Sequence, residues 1–359
     1  MSPFELSTAA DAAAAIHACS GNPAARFIAG GTNLLDLMKE GVMRPAHLVD
    51  INTLPLDFIR PGESGGLLLG ALARNADTAW HPLVRERYPL LSSAILAGAS
   101  PQLRNMASNG GNLLQRTRCM YFYDLATPCN KREPGSGCSA IGGLTRQHAI
   151  LGASRCCIAT HPSDMCVALA ALDAVVHVQN AGGNRAIPLR ELHRLPGEHP
   201  EHDTVLEPGD LVTHIALPDA AQFAAHSVYL KLRDRLSYAF ALVSVAAALD
   251  LDEDGTVREA RLALGGVAHK PWRVPAAEDA LRGRLPDDDA GARAAEILLE
   301  GAAGQGDNDF KIELARRAIL RALKVARTGT VTNSGDNTRR QQRSAAPQQR
   351  PYPNDRRAP

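Results

Sequence analysis

Four cysteines in one loop-like stretch are the residues of this sequence best suited to chemistry. Cys119, Cys129, Cys138 and Cys157 follow the pattern C-x9-C-x8-C-x18-C, among prolines and glycines and with little apolar periodicity. A long connection without regular structure is uncommon in a compact domain and is usually functional or disordered. The four cysteines therefore favour a functional segment, and they raise the question of which interaction orders it.

Disulfides, a zinc ion, an iron–sulfur cluster or simple burial of free thiols would each account for these cysteines. Structural zinc sites usually contain close cysteine pairs, whereas here each cysteine follows a separate turn. Separate turns suit a four-cysteine [4Fe–4S] site, although the spacing matches neither common ferredoxin pattern. Free cysteines are also often buried, so the residues alone leave these alternatives open.

Two glycine pairs form a second candidate site. A short apolar strand at residues 26–29 runs into Gly30-Gly31-Thr32-Asn33 (the first glycine turn), and a helix pattern follows. A second glycine turn, residues 108–112, contains Ser108, Gly110-Gly111 and Asn112. Such turns let backbone N–H groups approach a phosphate, and two of them can hold a dinucleotide pyrophosphate, although an isolated glycine pair is often only a tight turn.

The sequence lacks the common nucleotide-binding fingerprints. Residues 135–140 satisfy the letters of G-x-G-x-x-[GA], but they follow a proline-rich loop instead of a strand, and they contain a cysteine. That context excludes a Rossmann turn. Any dinucleotide here must be held by a different fold.

Composition and patterning predict a soluble α+β protein of several domains. The 359 residues carry a formal net charge of +1, which implies no extended nucleic-acid surface. No apolar run reaches the ~18 residues of a membrane span, and the N-terminus lacks the features of a signal peptide. The odd cysteine count does not resemble a secreted disulfide framework.

Boundaries are expected near residue 58 and near residues 220–225. After the second boundary, residues 236–250 predict a strand, residues 257–264 its hairpin partner, and three helices follow. Strands followed by helices are typical of an α+β domain. Residues 328–359 are poor in large apolar side chains and predict a disordered tail.

Several motifs together resemble the FAD-binding medium subunits of the xanthine dehydrogenase family of molybdenum hydroxylases. The resemblance spans roughly residues 4–327. Four motifs in chain order show the resemblance. They are residues 29–35; residues 102–105 with Ser108 and 110–112; residues 162–164; and Lys231 with residues 237–239 and 264–268. It implies a two-lobed FAD-binding domain of the vanillyl-alcohol-oxidase type (lobes 1–58 and 59–222), followed by a C-terminal α+β domain (223–327).

Residues 114–160, which we term the cysteine insertion, narrow the resemblance to the FAD subunits of bacterial periplasmic aldehyde oxidoreductases. In that group this loop carries an additional [4Fe–4S] cluster. The resemblance implies Cys119, Cys129, Cys138 and Cys157 as ligands, with Cys156 as the alternative to Cys157. The cluster is expected to order the loop more than to carry electrons, because related subunits without the insertion still hold FAD.

The same resemblance implies which residues contact FAD. Residues 26–34 would lie along the diphosphate, mostly through backbone N–H groups, and the second glycine turn would close its other side. Asp164 would accept hydrogen bonds from the ribityl or adenosine part, and Lys231 would lie near the isoalloxazine. The complete predicted set is Arg26, Phe27, Ile28, Ala29, Gly30, Gly31, Thr32, Asn33, Leu34, Ser108, Gly111, Asn112, Asp164 and Lys231. Without the resemblance, Asp164 reads as a helix N-cap and Lys231 as an exposed lysine.

The implied activity is oxidation of an aldehyde to a carboxylic acid by a heterotrimer. Its molybdenum cofactor lies on a large subunit, and two [2Fe–2S] clusters on a small subunit pass electrons to the FAD of this chain. No catalytic residue is expected here, and ferredoxin, quinone or oxygen remain open as the external acceptor. Periplasmic location would require co-export with a partner, and the cytoplasm is the alternative. Rival hypotheses are a stand-alone FAD oxidase or reductase and a non-enzymatic zinc-loop scaffold.

Overall fold

A computed structural model describes residues 1–330 and contains three β-sheets with helices packed on them. Its mixed strand and helix content confirms the predicted α+β class. Within the described residues, no helix is both long enough and apolar enough to span a membrane. Most of the predicted tail lies outside the described residues, but Thr330 is described and its N–H donates to the Ala225 carbonyl at 2.7 Å.

The first lobe is a small parallel sheet with two helices. Its elements in chain order are β1 (Glu5–Thr8), α1 (Ala12–Cys19), β2 (Ala25–Ile28), α2 (Leu34–Lys39) and β3 (His47–Asp50). The strand order is β1-β3-β2, and both pairs are parallel. Asp11 caps α1 because its carboxylate accepts the Ala14 N–H at 2.8 Å. This arrangement places the carboxyl end of β2 directly before the first glycine turn.

The second lobe is an antiparallel sheet of order β4-β5-β8-β6-β7. Its strands are β4 (Ile59–Pro61), β5 (Leu67–Gly70), β6 (Val175–Asn180), β7 (Gly183–Pro188) and β8 (Leu211–Leu217). The helices between and after them are α3 (Asn75–Trp80), α4 (Pro82–Arg87), α5 (Pro89–Ala97), α6 (Pro101–Met106), α7 (Asn109–Leu113), α8 (Met120–Tyr123), α9 (Asp164–Ala171) and α10 (Leu189–Leu192). Helices α5 and α9 are apolar and lie in the buried core.

The C-terminal domain is a three-stranded antiparallel sheet covered by helices. Its elements are β9 (Ser227–Leu232), β10 (Val243–Leu251), β11 (Val257–Gly265), α11 (Pro275–Asp279), α12 (Asp288–Leu298) and α13 (Phe310–Arg327). The predicted strand over residues 236–250 is wrong in its first part, because β10 begins only at Val243. Leu236 is 92% exposed, and Tyr238 has φ +51°, a conformation incompatible with a strand.

The cysteine insertion connects the second lobe to the C-terminal domain. Its only described helix is α8, and the rest consists of turns. Ile150 and Leu151 pack into the C-terminal core, and their N–H groups donate to the Val267 carbonyl at 2.9 and 3.0 Å. The insertion is therefore an integral part of the fold and not a free excursion.

Lys311 in α13 is a buried lysine that secures this connection. Its ammonium group donates to the carbonyl oxygens of His148 at 2.8 Å and Gly266 at 2.6 Å. The residue has no exposed surface, and burial lowers the pKa of its side chain to about 7. Two hydrogen bonds offset the cost of burying this ionisable group, and the one to His148 joins the C-terminal domain to the cysteine insertion.

Replacing Lys311 by Met should remove one specific pH dependence of stability. An unfolded lysine has a pKa of about 10.4, so from about pH 7 to about pH 10 the unfolded state binds more protons than the folded state. The free energy of unfolding of the wild type should therefore rise relative to that of Lys311→Met as the pH increases. Urea denaturation of both proteins across this range measures the difference, and a constant difference would contradict the lowered pKa of Lys311.

Candidate cofactor site

The two glycine turns lie against each other. A Cβ atom placed on Gly30 would lie 1.8 Å from the carbonyl oxygen of Met106, which precedes the second turn. Gly31 has φ +70°, a left-handed conformation that favours glycine. Both glycines of the first turn are therefore required by backbone geometry, and the contact brings two regions that are distant in sequence to one place.

Hydrogen bonds fix the shape of the second glycine turn. The Ser108 hydroxyl accepts the Gly111 N–H at 3.2 Å and so caps α7. One N–H of the Asn112 amide donates to Asn75 at 2.6 Å, and its oxygen accepts the Ser163 hydroxyl at 2.6 Å. The Asn112 side chain therefore ties the second glycine turn to the neighbouring helices, and its contact with a cofactor stays a prediction.

Two cavities with shared lining residues follow the two turns. The first cavity has a volume of about 270 Å³ and the second about 600 Å³, and Thr32, Asn33 and Gly111 line both. Residues 26–34, Ser108 and Gly111 line the first cavity, and Asn112, Asp164 and Lys231 line the second. The structure thus brings all the predicted cofactor residues to one elongated space, and their contacts with a cofactor stay a prediction.

Asn33 offers a free donor where the two cavities meet. Its side-chain oxygen accepts the Arg116 N–H at 2.8 Å. Its amide nitrogen is buried and has no partner among the described residues. A buried unpaired donor is costly, and it fits a ligand that presents oxygen atoms at this position, as a pyrophosphate does.

Asp164 and Lys231 form a buried ion pair. The Lys231 ammonium lies 2.8 Å from the Asp164 carboxylate, and the side chains are 4% and 8% exposed. The Tyr229 hydroxyl donates to the same carboxylate at 2.6 Å, and burial beside Asp164 raises the pKa of Tyr229 well above its usual value. Lys231 was expected to act as a cation beside the cofactor ring, and the structure gives that charge a carboxylate partner.

Ser163, not Asp164, caps α9, because its hydroxyl accepts the Cys166 N–H at 3.0 Å.

Tyr229 was not predicted from the sequence, although it stands two residues before Lys231 on β9 and therefore shares its face of the strand. That spacing is the signal that would have connected the two residues. The ion pair positions the wall of the second cavity.

A third cavity, of about 490 Å³, lies between the cysteine insertion and the C-terminal domain. It is lined by Cys119 and His148 on one side and by Ser244 and Gly266 on the other. The third cavity shares Arg118, Gln147, Pro162, Asp164 and Phe240 with the second cavity. Sequence reasoning did not find it, because its walls come from segments that only the tertiary fold brings together.

The four predicted metal ligands converge on one small cavity. Cys119, Cys129, Cys138 and Cys157 all line it, and Cys156 does not. Cys129 and Cys138 face each other in an isolated antiparallel bridge, and all seven cysteines are free of disulfides. Burial raises the pKa of Cys119 to about 11 and that of Cys157 to about 12, with contributions from neighbouring cysteines. Thiolates grouped in this way need a cationic centre to compensate them, so the donor set fits a metal cluster.

Two histidines that sequence reasoning passed over contact these cysteines. The Nε2 atom of His148 lies 3.1 Å from Cys119 Sγ, and Nε2 of His269 lies 3.3 Å from Cys157 Sγ. Burial lowers the pKa of His148 and lowers that of His269 to about 3, so both rings are neutral. No spacing signal connects these histidines to the cysteines in the sequence.

A second set of possible metal ligands is less suited to binding. Donor atoms of His161, Cys166 and His193 lie within 4.8 Å of one another. However, the Ser163 N–H reaches Nδ1 of His161 at 3.4 Å, which leaves the proton of the neutral ring on Nε2. Nε2 of His193 lies 2.8 Å from the Leu113 carbonyl. Each ring therefore already uses one nitrogen in a hydrogen bond with the backbone, and we assign both rings to packing.

A buried charge network anchors the cysteine insertion to the second lobe. Asp203 accepts from the Lys131 ammonium at 2.5 Å and from the Arg116 guanidinium at 2.7 Å. Burial alone would raise the pKa of Asp203, but Arg116 and Lys131 outweigh it and hold that pKa well below its usual value. Lys131 is only 3% exposed, so Asp203 supplies the charge that makes its burial tolerable.

Asp203→Asn should destabilise the chain by about 2–3 kcal/mol near neutral pH, because it leaves Lys131 buried without its counter-charge. The depressed pKa of Asp203 makes this contribution present above about pH 4 and lost as the pH falls further. Urea denaturation midpoints of the wild type and the variant, measured near neutral pH and again well below about pH 4, check the effect. Glu198→Gln is the control, since its pair with Arg155 is 72% and 82% exposed; equal losses in both variants would contradict the assignment.

Comparisons with known proteins agree with this geometry. Residues 2–220 match the family model described as the FAD binding domain in molybdopterin dehydrogenase. Residues 227–326 match the CO dehydrogenase flavoprotein C-terminal domain. Together the two models cover most of the chain.

Relatives of known function align over nearly their full length. The FAD-binding subunit PaoB of an aldehyde oxidoreductase from Escherichia coli is 52% identical over 307 residues, which cover 85% of this chain and 92% of that protein. The carbon monoxide dehydrogenase medium chain of Hydrogenophaga pseudoflava is 27% identical over 308 residues, which cover 84% and 89%.

Solved structures share the fold. A structure of carbon monoxide dehydrogenase from Hydrogenophaga pseudoflava superposes with a TM-score of 0.70 at 26% identity, over 90% of this chain and 97% of that chain. Quinoline 2-oxidoreductase from Pseudomonas putida 86 gives 0.68 at 25% identity, over 91% and 98%. On these findings, the chain belongs to the FAD-binding medium subunits of the molybdenum hydroxylase family and is one subunit of a multi-subunit oxidoreductase.

Proposed function

We propose that this chain is the electron-transfer subunit of a heterotrimeric, molybdenum-dependent aldehyde oxidoreductase. The observation that carries the proposal is the cavity lined by Cys119, Cys129, Cys138 and Cys157, combined with 52% identity to an aldehyde oxidoreductase FAD-binding subunit. A large subunit would carry the molybdenum cofactor, and a small subunit would carry two [2Fe–2S] clusters. An external acceptor would take the electrons from this chain, and we propose that the trimer is exported by a partner's signal.

The FAD would lie along the first and second cavities. The first glycine turn and Gly111 would border the pyrophosphate, where the free Asn33 amide donor is available. Residues 26–34 would lie along the diphosphate, and Asp164 with Lys231 would border the ribityl and isoalloxazine part. Bound FAD supplies both one-electron and two-electron chemistry, and this chain's part is to bind it, orient it and restrict water around it.

The four cysteines would hold a [4Fe–4S] cluster that orders the cysteine insertion. Support comes from four free thiols, of which those of Cys129 and Cys157 are buried, and from their convergence on one cavity that Cys156 does not line. The insertion contacts both the second lobe and the C-terminal domain through Asp203 and Val267. Loss of the cluster would therefore loosen the junction between domains.

Gly30→Ala should weaken FAD binding by about tenfold or more, equivalent to about 1.4 kcal/mol. The added Cβ would collide with a backbone carbonyl at 1.8 Å, so the two glycine turns must separate. Flavin content per chain, measured from released FAD, checks the change. Gly62→Ala is the matched control because its Cβ would meet only ordinary contacts at 3.4 Å; equal flavin content in Gly30→Ala would show that the turn contact is dispensable.

Cys129→Ser should remove the cluster iron, whereas Cys156→Ser should retain it. Metal analysis and the visible spectrum of the purified complex measure this, since flavin bands with a broad iron–sulfur shoulder are expected in the wild type. A colourless zinc protein would refute the proposal, and flavin without molybdenum partners would indicate a stand-alone flavoprotein.

The same Cys129→Ser variant tests the ordering role of the cluster. We expect FAD content and subunit assembly to fall together with iron. If both survive while aldehyde turnover collapses, the cluster carries electrons and its ordering role is wrong.

A further inference from the structure

Two histidines from different parts of the chain contact two of the four cysteines. His148 belongs to the cysteine insertion and lies 3.1 Å from Cys119 Sγ. His269 follows β11 of the C-terminal domain and lies 3.3 Å from Cys157 Sγ. Both distances join the Nε2 atom to sulfur, and both fall within the range of an N–H···S hydrogen bond. Two of the four proposed ligands therefore have an imidazole partner.

The direction of these bonds follows from the chemistry of the partners. A cysteine thiolate that binds iron has no proton and can only accept. A neutral imidazole has one N–H, and Nδ1 of both rings is buried without a partner among the described residues. The proton is therefore best placed on Nε2, where it is used, because a lone pair facing a thiolate would be repelled.

The backbone holds the His148 ring in position independently of any cluster. The His148 N–H donates to the Thr145 carbonyl at 2.8 Å, and its own carbonyl accepts from Lys311 at 2.8 Å and from Asn308 at 3.0 Å. His269 is preceded by Ala268, whose carbonyl accepts the His161 N–H at 2.9 Å. Donors fixed in this way require little reorganisation when a neighbouring charge changes.

We propose that His148 and His269 donate N–H···S hydrogen bonds to Cys119 and Cys157 and thereby raise the reduction potential of the cluster. Hydrogen bonds to cluster sulfurs favour the more negative, reduced state. The inference rests on the proposed [4Fe–4S] site and adds positioning residues that set its electron affinity. A cluster poised in this way is fit to accept electrons as well as to order the insertion.

The first test uses the wild-type complex labelled with 15N-histidine. The cluster signal is identified in the reduced wild-type complex by its fast spin relaxation, because a reduced [4Fe–4S] centre is observed only at lower temperatures than [2Fe–2S] clusters and flavin radicals. Pulsed electron paramagnetic resonance should then detect weak coupling to two histidine nitrogens. Strong coupling typical of direct iron ligation, or no coupling, would overturn the proposal.

The second test measures the midpoint potential of the same signal in variants. His148→Leu and His269→Leu remove the donor, and each should lower the reduced-to-oxidised ratio at a fixed potential by roughly tenfold, which is about 59 mV for a one-electron couple. His148→Gln and His269→Gln keep an Nε2–H donor and should restore most of the potential. His193→Leu is the control, since its buried ring bonds the Leu113 carbonyl at 2.8 Å and no cysteine.

The outcomes separate this inference from the proposed function. A wild-type complex without cluster iron would refute the proposed function itself. A normal cluster whose potential is unchanged in the Leu variants would refute only the role of the histidines. If the Leu variants lose their iron, the midpoint potentials of the Gln variants and the histidine nitrogen coupling in the labelled wild type still test the hydrogen bonds.

Discussion

The contact between Gly30 and the Met106 carbonyl is the constraint on which the rest of the site depends. It leaves no space for a Cβ atom, so the parallel sheet of the first lobe and the helices of the second lobe meet backbone to backbone. The elongated space beside this contact is where the family's flavin would lie. Other features, such as the Asn112 hydrogen bonds and the Asp164–Lys231 pair, hold its walls in place.

The cysteine insertion would be unstable without buried charges at both of its ends. Lys131 pairs with Asp203 on the second lobe, and Lys311 reaches the His148 carbonyl from the C-terminal domain. Burying two lysines is costly, and hydrogen bonds offset that cost. The bond from Lys311 to the His148 carbonyl crosses a domain boundary. These interactions hold the four thiols and the two histidine donors close together. The proposed cluster would lie where the cysteine insertion meets the second lobe and the C-terminal domain.

The glycine turns and the four cysteines were visible in the sequence because their chemistry depends on residue type and local spacing. The family resemblance also predicted the α+β fold. Contacts between distant segments were not predictable in this way, and the pairing of Lys231 with Asp164 and the histidine–cysteine contacts are examples. The start of β10 was misplaced because apolar composition continued through residues 236–242, where the positive φ of Tyr238 excludes a strand.

The most direct measurement is a crystal structure of the purified complex with anomalous diffraction collected at the iron edge. The account predicts an iron cluster bound by the sulfurs of Cys119, Cys129, Cys138 and Cys157, and a flavin pyrophosphate between the two glycine turns. Iron absent from that position, or a flavin bound elsewhere on the chain, would contradict it.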